Sequence, residues 1–117
     1  WHRVVTWSDD ALAQRIADDG IDILIDLAGH SALNRLPVFA RKPAPVLVSW
    51  LGYFATTGLP AMDWVLADPV CVPTAETGLF TERIAHLPVT RLCFSPPDGS
   101  PAVSPPPAAS RPQFTFG

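Results

Sequence analysis

The chain has 117 residues, a net charge of −3, 48% hydrophobic residues and 16% charged ones. That is room for one domain or part of one, and so much apolar surface with so little charge argues against a disordered chain. An acidic balance gives no electrostatic footprint for nucleic acid. The longest apolar runs are broken by Asp, Ser or Pro, well short of the roughly 20 residues of a membrane span.

Trp1 stands where an initiator Met would, and no leader pattern follows, so the chain reads as cut from a longer one. Val4-Val5-Thr6 is a short β-prone piece. Ser8 ahead of Asp9 and Asp10 is a helix N-cap with acids where the helix dipole favours them. Leu12, Ala13, Ile16 and Ala17 share one helical face, and Gly20 is placed for a stop. The pattern predicts a helix over 9–19. Ile21 to Leu27 is β-branched and nearly all apolar, which predicts a buried strand of a parallel sheet.

Ala28-Gly29-His30-Ser31 follows as a strand-to-helix loop, and Asn34 to Ala40 reads as a short helix halted by Pro43 and Pro45. Val46 to Trp50 is a second buried strand, with Leu51 to Leu59 as its loop. Asp63 to Asp68 is a third strand, 74–80 a helical turn, and Arg83 to Leu87 a fourth strand. Strands alternating with helices predict an α/β layered fold. Seven of the prolines fall late: Pro96, Pro97, Pro101, Pro105, Pro106, Pro107 and Pro112. Proline denies residues 95–113 helix or central-strand structure, so they read as an extended linker. Gln113 to Gly117 turns apolar again, like the first strand of a further domain.

In open parallel sheets, ligands gather outside the carboxyl ends of the strands. Two loops take that place here: Gly29-His30-Ser31 and Leu51 to Gly58. His30 is read either as a group that handles protons or hydrogen bonds, or as a loop histidine capping backbone. His2 is read as terminal and exposed, and His86 as a satisfied structural histidine. The second loop is neither a GxGxxG fingerprint nor a Walker A motif. Gly52 and Gly58 let backbone approach a ligand, or simply satisfy the turn. Free amides there, with the Thr56 and Thr57 hydroxyls, could donate to a polar ligand.

Cys71 and Cys93 read as free thiols of a reducing compartment. With no CxxC, HxH or HExxH spacing, no metal site is expected. Asp22, Asp26, Asp63 and Asp68 sit at strand edges and ends, and nothing pairs two of them in one cleft. The Gly-x-Ser-x-Gly of a nucleophile elbow is absent.

A set of motifs then occurs in order. Ile25-Asp-Leu-Ala-Gly-His30 is followed by Asn34-Arg-Leu and Phe39-Ala-Arg-Lys-Pro-Ala-Pro45. Then come Val48-Ser-Trp-Leu-Gly-Tyr53, Thr56-Thr-Gly-Leu59, Met62-Asp63 and Asp68. Together they resemble the catalytic region of the O-linked N-acetylglucosamine transferases and their SPINDLY relatives, glycosyltransferase family 41. The resemblance runs from about residue 8 to 117 and includes Leu92 to Pro97 and Phe114 to Gly117. Three positions depart from the family pattern: Lys42 for the usual Arg, Trp64 for a common Tyr, and Phe54 where Pro is usual. Phe54 matters most, because it alters the turn of the donor-side loop.

The resemblance implies a two-lobed GT-B enzyme holding a sugar nucleotide between Rossmann-like lobes. Residues 1–94 would be the later part of the N-terminal catalytic lobe, 95–113 a Pro-rich interlobe linker and 114–117 the opening of the C-terminal lobe. Tetratricopeptide repeats and a histidine proposed as base would lie upstream, and the nucleotide-gripping lysine downstream. No catalytic residue is therefore expected within this chain. The implied reaction is inverting, metal-independent transfer of N-acetylglucosamine from UDP-GlcNAc to Ser/Thr hydroxyls of cytoplasmic proteins, with no cofactor and no nucleic-acid or membrane partner.

The residues implied at the donor and acceptor are Gly29, His30, Ser31, Leu51, Gly52, Tyr53, Thr56 and Thr57. Arg35 carries over as either a structural salt bridge or a cleft residue. Transfer of fucose to oxygen, or of glucose to Asn, remains open, as does a non-catalytic module on the same scaffold. The last is the reading that Phe54 favours.

Overall fold

The computed structural model describes residues 1–109 and 113. The expected opening of a further lobe at 114–117 lies outside the described residues, as do 110–112 of the expected linker. Helix α1 (Asp9–Asp18) begins as its sequence dictates. Ser8 Oγ accepts from the Ala11 N–H at 3.2 Å, satisfying a donor that has no partner within the helix. The helix closes with the Asp19 N–H on the Arg15 carbonyl and the Gly20 N–H on that of Ala17. The β-prone start forms no strand. Val4 to Trp7 is instead a turn closed by the Trp7 N–H on the Val4 carbonyl at 3.0 Å.

Strands β1 (Ile23–Asp26), β2 (Val46–Ser49), β3 (Trp64–Ala67) and β4 (Arg83–His86) form one sheet in that order, every pair parallel. Helix α2 (Leu36–Phe39) lies on the path from β1 to β2 and is one turn long, with Pro37 in its first turn. Pro is tolerated there because its missing N–H would have had no partner. A helix-free loop joins β2 to β3, and a 3₁₀ segment (Thr74–Leu79) joins β3 to β4. Residues 95–106 form neither helix nor strand, and a short 3₁₀ turn follows at Pro107–Ala109.

Side chains alternate across a strand, so the register assigns each face. Leu24 aligns with Leu47, and Ser49 with Val65, on one side. There Leu47, Val38, Phe39, Leu36, Ala13, Ala44 and Met62 form the main core, with Leu12, Ile16 and Leu24 packed against it. Val65, Ala67 and Val72 form a second, smaller cluster against Phe80 and Ile84. Full burial of a side chain such as Leu47 or Val38 stabilises by about 1.5–3 kcal/mol.

The opposite side differs from the expectation of a fully buried first strand. Ile23 is 58% exposed and Ile25 44%, with Ile21 and Leu27 also open. The cause is position. β1 is an edge strand, and both helices pack on the other face.

Candidate functional site

The first loop is shaped by the last residue of β1. The buried Asp26 carboxylate accepts from the Ala28 N–H at 3.1 Å and the Gly29 N–H at 2.7 Å. This folds the chain back at the strand end. Gly29 takes φ +53, a left-handed conformation that glycine adopts without a Cβ penalty. It also lies under Tyr53: a Cβ at Gly29 would stand 2.3 Å from the Tyr53 Cβ. The second loop turns at Leu51, a non-glycine residue with φ +64. Arg91 holds that peptide by donating from Nη1 to the Leu51 carbonyl at 2.9 Å. Arg91 is itself anchored, with its N–H on the Asp68 carboxylate and its carbonyl accepting from Trp50 Nε1.

The two loops meet at one edge of the sheet. His30 Nε2 lies 2.8 Å from the Thr57 carbonyl. A Cβ at Gly52 would stand 2.0 Å from the Leu27 carbonyl oxygen, so backbone passes against backbone there. Tyr53 is edge-on to His30 at 5.5 Å and stacked on Phe54 at 5.8 Å. Phe54, the departure from the family pattern, thus ends an aromatic row, with 68% of its surface exposed. His30 and Ser31 are exposed, and Leu51 and Tyr53 half-buried. The Leu51 and Tyr53 N–H groups have no partner among the described residues, whereas that of Gly52 is committed to the Trp50 carbonyl at 2.9 Å.

Other expected ligand groups are spent within the protein. The Thr57 hydroxyl and N–H both donate to Glu82 Oε1, the N–H at 2.7 Å, and the Thr56 hydroxyl donates to Oε2 at 2.7 Å. The hydroxyls expected to face a ligand therefore brace the loop. Arg35 forms the salt bridge that was one of its two readings, 2.7 Å from Asp9. It also donates to the carbonyls of Trp7, Val4 and Val5. A cavity of about 420 Å³ there is lined by Val4, Val5, Asp9, Leu33, Asn34 and Arg35. Its guanidinium is already engaged, and neither loop of the sheet edge contributes His30 or Gly52 to it.

Glu82 was missed in the sequence because nothing local links it to Thr57, 25 positions away. His86 is satisfied by the Val72 carbonyl at 2.8 Å, and Cys71 and Cys93 are free and exposed. Among the described residues, no cluster of three His, Cys, Asp or Glu side chains could hold a metal. No described helix is long and apolar enough to cross a membrane.

Three carboxyls are held below their usual range. Burial pushes Glu82 up, but hydrogen bonds from Thr57 and Thr56 outweigh it. The Arg91 N–H, then that of Cys71, lowers Asp68 against its burial. The Lys42 ammonium, then the Leu47 N–H, lowers Asp63. A carboxyl held down in the folded state stabilises at pH values above its unfolded pKa and loses that contribution as pH falls through the folded one. The urea midpoint should therefore drop on acidification below about pH 5, through the ordinary carboxylate range. Glu82→Gln should flatten part of that dependence. A midpoint constant from pH 7 to about 3 would contradict this account.

A four-stranded parallel sheet with two loops packed together at its carboxyl edge defines an α/β layered domain, a fold class whose ligands gather at that edge. Residues 5–94 match the model of glycosyl transferase family 41. The chain belongs to that family. It is 38% identical over its whole length to a probable UDP-N-acetylglucosamine–peptide N-acetylglucosaminyltransferase SPINDLY of Eustoma exaltatum subsp. russellianum, covering 13% of that protein. Over 67% of the chain it is 44% identical to the UDP-N-acetylglucosamine–peptide N-acetylglucosaminyltransferase of Caenorhabditis elegans, covering 7% of it. A solved Thermobaculum terrenum O-GlcNAc transferase mutant, K341M, superposes with TM-score 0.81 at 41% identity, over 90% of this chain and 20% of that one. The chain thus spans about an eighth of the SPINDLY relative and a fifth of the solved structure.

Proposed function

We propose that these residues form the later part of the N-terminal catalytic lobe of a GT-B protein O-glycosyltransferase. The intact protein transfers N-acetylglucosamine from UDP-GlcNAc to Ser/Thr hydroxyls of protein acceptors. The observation that carries this reading is the meeting of two loops at one sheet edge, through His30 on Thr57 and Gly52 against Leu27. The unpartnered N–H groups of Leu51 and Tyr53 orient sugar hydroxyls, while His30 and Ser31 face the acceptor side and Gly29, buried under Tyr53, holds their turn. Gly52 contributes by lacking a side chain. Thr56, Thr57 and Arg35 act one step behind, as braces.

Inverting transfer needs an oriented donor, a positioned hydroxyl and help for the departing diphosphate. This chain supplies orientation. Other parts of the polypeptide supply the nucleotide grip, the helical repeats and the covering of the open sheet face.

The test is a donor screen with the full-length protein and a peptide acceptor, comparing UDP-GlcNAc, UDP-glucose and GDP-fucose. N-acetylglucosamine should be transferred. Transfer of fucose or glucose alone would reassign the donor, and no transfer from any of them would overturn the reading. The 117-residue chain alone should bind uridine nucleotides too weakly to detect, since one wall of a cleft leaves the cost of association unrecovered. Micromolar binding by calorimetry would contradict the division of labour.

A further inference from the structure

His30 has one hydrogen-bond partner among the described residues, the Thr57 carbonyl, 2.8 Å from Nε2. A carbonyl oxygen can only accept. The proton must therefore sit on Nε2, and in the neutral ring Nδ1 is left with a free lone pair. The carbonyl that makes this choice is itself held. Thr57 is 3% exposed and Glu82 5%. Glu82 Oε1 takes both the N–H and the hydroxyl of Thr57, and Oε2 takes the hydroxyl of Thr56. Thr81 closes the group, its hydroxyl 2.8 Å from that of Thr56.

We propose that Glu82 is a positioning residue. Through Thr57 it fixes His30 as the Nε2–H tautomer and leaves Nδ1, on an exposed ring, as the acceptor for a substrate hydroxyl. A buried carboxylate at the entry to β4 thereby sets the chemistry of an imidazole that follows β1, at the far side of the sheet. The Tyr53 ring, edge-on at 5.5 Å, limits how far the imidazole can swing. The tautomer follows from the His30–Thr57 geometry alone, and the substrate role of Nδ1 rests on the proposed function above.

The experiment uses the full-length protein labelled with ¹⁵N-histidine, at a pH where His30 is neutral. Long-range ¹H–¹⁵N correlation, assigned with His30→Gln, should show a pyrrole-like Nε2 and a pyridine-like Nδ1. The opposite assignment in the wild-type protein would overturn the proposal with no variant needed. Glu82→Gln should move both nitrogens toward averaged values and lower kcat/KM on the order of 10-fold through misplacement. The Glu82→Gln, His30→Gln double variant should transfer no more slowly than His30→Gln alone, because Glu82 acts through that ring. Losses that multiply would overturn the positioning role.

Where Glu82→Gln does not fold, Thr57→Val removes one bond of the group and Thr57→Ser restores it, and the tautomer should follow. A tautomer unmoved by Thr57→Val in a folded protein would count against the relay. Full transfer by His30→Gln with the wild-type tautomer as stated would overturn the substrate role and the site reading, leaving the positioning intact. Impaired transfer with an Nδ1–H tautomer would overturn the positioning and leave the site reading intact.

Discussion

Gly52→Val in the full-length protein should reduce transfer to background, whereas His30→Ala should lose roughly 10- to 100-fold, at or below the low end of the general acid–base range. The reason is a distance. A Cβ at Gly52 would lie 2.0 Å from the Leu27 carbonyl oxygen, and 3.1 Å from its carbon. These are backbone atoms at the end of β1, and no rotamer change relieves the overlap. Either β1 and the second loop separate, or the Leu51–Gly52 peptide turns away from where a sugar would lie. Overpacking by itself costs about 1–3 kcal/mol. A displacement of ~1 Å at a site of this kind can cost on the order of 100-fold in rate. Steady-state kinetics on variants that keep the wild-type circular dichroism spectrum tests the contrast. Near-normal turnover by Gly52→Val beside an inactive His30→Ala would reverse the roles given to the two loops.

Gly29→Ala should destabilise the protein well beyond Gly20→Ala, its control. Both glycines have positive φ, +53 and +64. An added Cβ at Gly20 meets nothing within 4 Å, whereas at Gly29 it meets Tyr53 Cβ at 2.3 Å and Cγ at 2.5 Å. Left-handed strain costs about 1–2 kcal/mol at either position. Gly29 adds an overpacking penalty of about 1–3 kcal/mol. The urea-unfolding free energy should fall by roughly 2–5 kcal/mol for Gly29→Ala and 1–2 for Gly20→Ala. Equal losses would show that Tyr53 moves aside freely and that the loops are not locked together.

The elements whose signals are local were legible in the sequence. Ser8, Asp9 and the stripe from Leu12 to Ala17 mark α1 within a residue of its observed end. The β-branched runs from Ile21 to Leu27 and from Val46 to Trp50 contain adjacent parallel strands, each shorter than its run, and their following loops share an edge as expected. Burial was harder to read. Ile21 to Leu27 has the composition of a strand covered on both faces, but composition does not report a strand's place in the sheet. At the site, the glycine-containing turns announced themselves, because backbone geometry restricts which residues fit. The partners did not. Thr56 and Thr57 look like ligand hydroxyls until Glu82 is brought beside them, and Arg35 like a cleft cation until the N-terminal turn folds under it. Those pairings join positions about 25 to 30 apart, which only the folded chain brings together.

The outward side of β1 has a colloidal consequence. Ile23 and Ile25 on the edge strand, with Ile21 and Leu27 flanking it, form an exposed apolar strip, the kind of segment that seeds edge-to-edge association. Two acids interrupt it in sequence, but Asp26 is buried and occupied with the Ala28 and Gly29 N–H groups. Asp22, exposed just before the strand, is left as the gatekeeper charge of that strip. Its side chain guards against self-association while its carbonyl, accepting from the Val46 N–H at 3.2 Å, helps set the register with β2. Replacing Asp22 by an uncharged residue would preserve the register and remove the guard, so preparations of these residues would form insoluble assemblies more readily with little change in the fold itself.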